Sequence, residues 1–161
     1  MSADERFIAT RTVAATPAAI FAVLSNPARH RDTEPGDWVR GAVTTEQITA
    51  AGQIFVMNMY LEPMGGDYVI ANLVTVFEPD RTIEWKPGRL DDEGRHQVAG
   101  WSWRYDLSAR GGATDVTLTY DWSATPQTVR DGFSRMPPFG PDFIERSLST
   151  LATSVETTTR S

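Results

Sequence analysis

Apolar residues recur near the end of the chain at steps of four, three and four: Ile144, Leu148, Leu151 and Val155, within GPDFIERSLSTLATSVET (140–157). That spacing puts them on one helical face, which Phe143 and Ala152 widen. Pro141 suits the first helical position, and Asp142 and Glu145 suit the positive end of the helix dipole. Burying such side chains stabilises by roughly 1.5–3 kcal/mol each, so the helix must lie on another layer.

Upstream the period shortens to two. Residues 6–14 (RFIATRTVA) have the β-branched, alternating character of an opening strand. Thr16 then caps a helix with Pro17 at its first position and Ile20, Phe21, Val23 and Leu24 on its apolar side. Ser25-Asn26-Pro27 stops that helix and starts a second, shorter one through about Asp32, before Pro35-Gly36 ends helical structure. Strands are expected at 42–49, 53–62, 68–78, 81–86, 100–108 and 114–123, with a turn at 63–67, a tight turn at Pro79-Asp80 and a polar loop at 87–98. The connector 125–141 is proline-rich, with a short helix within 127–135. Strands joined by short polar turns form an antiparallel meander. The expectation is a single α+β domain over 1–161: two short helices after the first strand, then a curved antiparallel sheet of about 6–7 strands wrapped around a long C-terminal helix.

Register follows from the hairpins. Pairing Leu107 with Val116 aligns Tyr105 with Leu118, Trp103 with Tyr120 and Trp101 with Trp122, all on one face. Ser102, Arg104, Asp106, Asp115, Thr117, Thr119 and Asp121 make the other face a solvent side. In the middle of the sheet, a two-residue Pro79-Asp80 turn sets Trp85 beside Val74 and Ile83 beside Val76. Extension through the next turn sets Asn72 opposite Asn58 and Ile70 opposite Tyr60. With Trp85 inward, that register leaves Phe55, Met57, Met59, Leu61, Leu73 and Phe77 on the outside, too apolar for solvent. Either a bulge reverses the faces or this stripe meets a partner.

Composition narrows the function. Hydrophobic residues make up 40% and charged residues 22%, an ordinary globular balance. The formal charge is −6 with no long basic run, which disfavours nucleic acid as a partner. Arg29-His30-Arg31 reads as a solvated helix end. The absence of cysteine excludes disulfides, thiolate metal sites and a cysteine nucleophile. No stretch has the ~20 apolar residues of a membrane span, and the first residues lack a signal-peptide pattern, so a cytoplasmic protein is expected. Phosphate loops, dinucleotide fingerprints, zinc-protease helices and G-x-S-x-G are missing. His30, Asp32 and Glu34 form an H-x-D-x-E pattern, but the helical context and Pro35 argue against convergence, so neither metal nor cofactor is expected. His96, in a charged loop, reads as solvated.

Four stretches carry a resemblance: AATPAAIFAVLSNPARH (14–30), FEPDRTIEW (77–85), WSWRYDLSARGGATDVTLTYDWS (101–123) and PPFGPDFIERSLSTLATSVE (137–156). Together with the order of elements, the chain resembles the SRPBCC/START-like helix-grip superfamily, in its polyketide cyclase/dehydratase-like branch. The resemblance covers nearly the whole chain and rests on fold motifs. It implies a deep apolar cavity between sheet and last helix, open near the connector loops, and names no reaction, because the superfamily holds carriers, cyclases, hydrolases and co-chaperones.

The candidate site is therefore a ligand space. Trp85, Trp101, Trp103, Tyr105 and Tyr120 on the sheet offer stacking faces and polar donors. Met136, Phe139 and Phe143, with Phe133, are either an adaptable lid at the mouth or a staple for the helix start. Asn58 and Asn72, if opposed inside, offer amides to a ligand carbonyl, with Tyr60 nearby. Binding of a small or medium hydrophobic molecule, aromatic, polyketide-like or lipid, is the first expectation, as monomer or homodimer. A polyketide cyclase/dehydratase-type enzyme using Asn58, Asn72, Tyr60 and Tyr105 is the second, with no catalytic residue fixed. An interaction module built on the Phe55–Met57–Met59–Leu61 stripe is the third.

Overall fold

The computed structural model describes residues 5–33, 38–61, 65–132, 137 and 139–159, the last three by backbone alone. Strand β1 (Arg6–Val13) leads into helix α1 (Pro17–Leu24) and a 3-10 helix (Pro27–Thr33). Strands β2 (Val39–Ala42), β3 (Ile54–Leu61), β4 (Gly66–Glu78), β5 (Thr82–Leu90), β6 (His96–Val98), β7 (Ser102–Arg110) and β8 (Ala113–Asp121) follow. A short helix α2 (Gln127–Arg130) precedes the long C-terminal helix α3 (Pro141–Thr159). The strands form one curled antiparallel sheet in the order β1-β8-β7-β5-β4-β3-β2, with β6 added alongside β5.

Local chemistry places the expected helices. The Thr16 hydroxyl accepts the Ala19 N–H at 3.2 Å, and Pro17 opens α1, which buries Ile20, Phe21, Val23 and Leu24. Helix α3 crosses the concave face over β1 and β8 and beside the 3-10 helix, burying Ile144, Leu148, Leu151, Ala152 and Val155. Its far end is tied down by Glu156, which accepts the Ala14 N–H at 2.9 Å. Arg29 joins the two helices by donating to Asp32 and to the Ser154 hydroxyl at 2.8 Å.

The last hairpin has the expected register, Leu107↔Val116, Tyr105↔Leu118 and Trp103↔Tyr120, and the ladder stops at Ser102↔Asp121, just short of Trp101 and Trp122. The middle strands differ from the expected pairing. Leu61 pairs with Gly66, so Asn58 faces Val69, and Asn72 faces Phe55. A bulge between Val74 and Val76 then sets Val74 opposite Trp85 but Phe77 opposite Ile83. These two shifts turn Phe55, Met57, Met59 and Phe77 toward the concave side together with Trp85 and Asn72. The apolar stripe is core, not surface, which removes the observation behind an interaction module. Two further segments differ: 43–49 lies beyond the end of β2, and the expected polar loop 87–98 carries the rest of β5 and the whole of β6. Strand β6 passes so close to β5 that a Cβ on Gly88 would sit 2.0 Å from the Gln97 carbonyl oxygen.

The convex face carries polar networks between its strands. Arg104 bridges Asp106 and Glu84, Thr75 donates to Glu84 at 2.7 Å, and Thr12 and Arg110 both reach Asp115.

Candidate functional site

Beside the sheet the structure leaves two hollows sharing Trp38, Ile70 and Trp101, of which the inner one reaches α3. The inner one has a volume of about 70 Å³ and lies among Met57, Met59, Asn72, Trp85, Trp103 and Tyr105 of the strands. His30 and Thr33 of the 3-10 helix and Phe143 and Ser147 of α3 close it. The outer one, about 530 Å³, opens between the ends of β3–β6 and α2, with Tyr68, Tyr120, Val98 and Val129 among its walls. A drug-sized ligand occupies a pocket of roughly 300–1,000 Å³, so the outer hollow has the size and the inner one adds a narrow extension.

Packed rings make up much of the walls. Trp103 lies 4.5 Å from Tyr120 between ring centroids, and Trp85 lies 5.8 Å from Tyr105. Trp38, from the chain entering β2, meets Trp103, Phe139 and Phe143 and donates its indole N–H to the Tyr68 hydroxyl. Burial pushes the Tyr68 phenol above its ordinary range, against the Trp38 hydrogen bond. Burial does the same to Tyr120, helped by the neighbouring Tyr68. Both phenols therefore stay neutral and can donate.

The inner hollow carries a distinct polar set. The His30 imidazole is 4% exposed, stacked on Trp85 and edge-on to Phe55. Its Nε2 lies 2.7 Å from the Leu24 carbonyl oxygen, which can only accept, so Nε2 carries the hydrogen. Burial pulls this imidazole down to about 4, against the opposing pull of the Leu24 hydrogen bond. It is therefore neutral at physiological pH. Tyr105, its hydroxyl bonded to the Thr33 side chain, is pushed up by burial, and Thr33 in turn donates to the His30 carbonyl oxygen at 2.7 Å. Asn72, also 4% exposed, has a single hydrogen bond, from Nδ2 to the Phe55 carbonyl oxygen at 3.5 Å, a marginal length. Among the described lining residues of both hollows, Arg89 at the outer rim is the one permanently charged side chain.

Seven of the residues singled out in the sequence come together here. Asn72, Trp85, Trp101, Trp103, Tyr105 and Phe143 line the inner hollow, and Tyr120, with Trp101 again, lines the outer one. Asn58 and Tyr60 do not join them. The corrected register places Asn58 exposed on the convex face, and Tyr60 on that same face beneath the Arg40 guanidinium, 4.5 Å from the ring centroid. Phe139 packs on Trp103, Tyr120 and Phe143 as a plug, outside the lining of either hollow. Met136 and Phe133 lie outside the described residues. His30 is a correction in the other direction, since Arg29-His30-Arg31 read as a solvated end. The buried residues of the 3-10 helix are Pro27, His30 and Thr33, at steps of three. Three residues per turn puts them on one face, a signal the α-helical reading hid. His96 is half-buried, with Nε2 2.8 Å from the Ala71 carbonyl oxygen on the convex side.

No family model matches the chain. An uncharacterized protein of Mycobacterium tuberculosis, Rv0088, is 31% identical over 113 residues, covering 70% of this chain and 45% of that protein. MT0096, from a second strain of that species, is 30% identical with the same coverage. The chain thus spans about half the length of the curated relatives it matches. Among solved structures, NE0264 of Nitrosomonas europaea superposes with a TM-score of 0.72 over 100% of both chains at 14% identity. A protein from Arthrobacter aurescens gives 0.69 at 15% identity, covering 95% of this chain and 87% of that one. CV1439 of Chromobacterium violaceum gives 0.66 at 17% identity, covering 94% and 97%. Likeness at this level of identity establishes the fold alone, a curled antiparallel half-barrel closed by a C-terminal helix.

Proposed function

We propose that this chain is a helix-grip protein of the SRPBCC/START-like kind that holds a small or medium hydrophobic, ring-bearing ligand between its sheet and the helices α2 and α3. The observation that carries this reading is an aromatic-walled, ligand-sized hollow continuous in its walls with a narrow inner one, where Asn72 is buried with one marginal hydrogen bond. A buried amide left this short of partners costs about 1–3 kcal/mol, which a ligand oxygen would recover. Four of the chain's five tryptophans, Trp38, Trp85, Trp101 and Trp103, line the inner hollow and give a direct readout. Titration with flavonoids, aromatic polyketides and long-chain lipids is expected to quench tryptophan emission for the ring-bearing compounds. Silence across the whole panel would remove the reading.

A polyketide cyclase/dehydratase-type activity is the second reading. It is favoured by the neutral His30 imidazole placed in the same hollow as the Asn72 amide, an acceptor and a donor suited to orienting an enol and a carbonyl. Asn58 and Tyr60 drop out of that candidate set, and Asn72 and Tyr105 remain in it. Incubation with a poly-β-ketone should yield a product distribution that changes in Asn72→Ala and Tyr105→Phe. A distribution identical to the uncatalysed one disposes of this second reading without touching the first.

A further inference from the structure

We infer that His30 and Asn72 select an uncharged ligand ending in a phenolic or enolic hydroxyl, which donates to Nδ1 of His30 and accepts from Nδ2 of Asn72. This rests on the proposal that the hollow takes a ring-bearing ligand, and adds which end enters first and what chemistry that end must have.

Three observations converge. First, the tautomer of His30 is fixed. Because Nε2–H is committed to the Leu24 carbonyl, the second nitrogen of the neutral ring bears a lone pair, and Nδ1 has no partner among the described residues. Stacking on Trp85 and the edge contact with Phe55 hold the ring plane in place. Second, Tyr105 and Thr33 are occupied, Tyr105 bonded to Thr33 and Thr33 donating to the His30 backbone, which leaves Ser147 of α3 as the remaining hydroxyl of the inner hollow. The acceptor at His30 and the donor at Asn72 are thus left to an incoming group, and a hydroxyl is a group that can both donate to the first and accept from the second. Third, the described walls of the inner hollow hold neither a cation nor a carboxylate. A carboxylate ligand there would lose its hydration without a counter-charge, while a phenol or enol would not.

Volume sets the orientation. An apolar cavity needs about 150 Å³ to hold benzene, and the inner hollow has about 70 Å³. Ring carbons therefore occupy the outer hollow, about 530 Å³, and only the oxygen-bearing edge passes Trp38, Ile70 and Trp101 into the inner one.

Calorimetric titration with 1-naphthol, 1-methoxynaphthalene, naphthalene and 1-naphthoate tests this. 1-Naphthol is expected to bind at least tenfold more tightly than the ether or the hydrocarbon, with the carboxylate weakest. His30→Phe and Asn72→Leu are each expected to erase that preference. Nitrogen NMR of the unsubstituted protein gives a readout free of folding effects: Nδ1 of His30 should show the lone-pair type of resonance and shift with 1-naphthol but not with its ether. Equal affinity for naphthol and ether, or a static Nδ1 resonance, overturns the inference while the ligand-binding reading stands. Failure of all four compounds to bind brings down both.

Discussion

The imidazole of His30 lies over the indole of Trp85, ring centroids 4.9 Å apart and planes 26° from parallel. A titratable ring is thus used as a flat aromatic surface, its one hydrogen-bond donor turned back onto the Leu24 carbonyl. Charging it would place a cation among Trp85 and Phe55 with its hydration removed.

That arrangement makes stability depend on pH. Burial pulls the folded pKa of His30 down to about 4 from an ordinary 6.5. Between those values the unfolded state binds the proton and the folded state does not, so stability rises with pH across the window. Above about 6.5 the contribution is complete, and it is lost as pH falls toward 4, by an amount on the order of 3 kcal/mol. Urea denaturation at a series of pH values should show this slope, and His30→Phe should flatten it relative to the unsubstituted protein. Parallel curves for the two proteins would contradict the assignment.

The facing of β3 is open to a direct comparison. Met57 is buried toward the hollow and its neighbour Asn58 is exposed on the convex side. Asn58→Lys is expected to change stability by no more than about 0.5 kcal/mol, as for other surface substitutions. Met57→Lys buries an unpaired charge and should leave the protein largely unfolded or cost upwards of about 3 kcal/mol. Asn58→Ala should also leave ligand affinity unchanged. Reversed costs would mean the strand is paired one residue out of step.

Helix α3 depends on its buried stripe. Ile144 and Leu151 are fully buried against the sheet, so truncating either to alanine is expected to cost about 2–5 kcal/mol in urea denaturation. Glu145→Ala, on the exposed side, should cost a few tenths at most. Similar small losses for all three would show that the helix does not lock onto the half-barrel.

At Gly88 the backbone of β6 leaves no room for a side chain, since a methyl group there would meet the Gln97 carbonyl oxygen at 2.0 Å. Gly88→Ala must break the Gly88↔Val98 and Arg89↔Gln97 pairings. Because Gly88, Gln97 and Val98 also wall the outer hollow, hydrogen exchange at 97–99 should quicken and affinity for ring ligands should fall together. Unchanged exchange would show that β6 adjusts without leaving β5.

Legibility in the sequence followed the range of the interactions involved. Helix α3 announces itself because its period and its Pro141 start are local, and the β7–β8 register because a short turn fixes it. The centre of the sheet does not. Two pairings one residue apart differ in every inward side chain, and no turn residue near Thr75 marks the bulge. The apolar run Phe55, Met57, Met59 signalled that something reverses the faces without saying where. The site divides the same way: large rings at alternating positions were visible as a set, while His30 was hidden by its two arginine neighbours and by the difference between three and 3.6 residues per turn.

The bulge beside Thr75 works like a reading-frame change written in side chains. Upstream of it the even-numbered residues of β4 look inward, and downstream Phe77 does, meeting Phe21 of α1. Deleting Thr75 would therefore keep every apolar residue in the chain yet point one half of the strand the wrong way, setting the wall that holds Asn72 against the floor that holds Ile83. Among homologues, an insertion or loss at this one position is the length change the inner hollow could least survive, whereas the connections at the rim are free to vary.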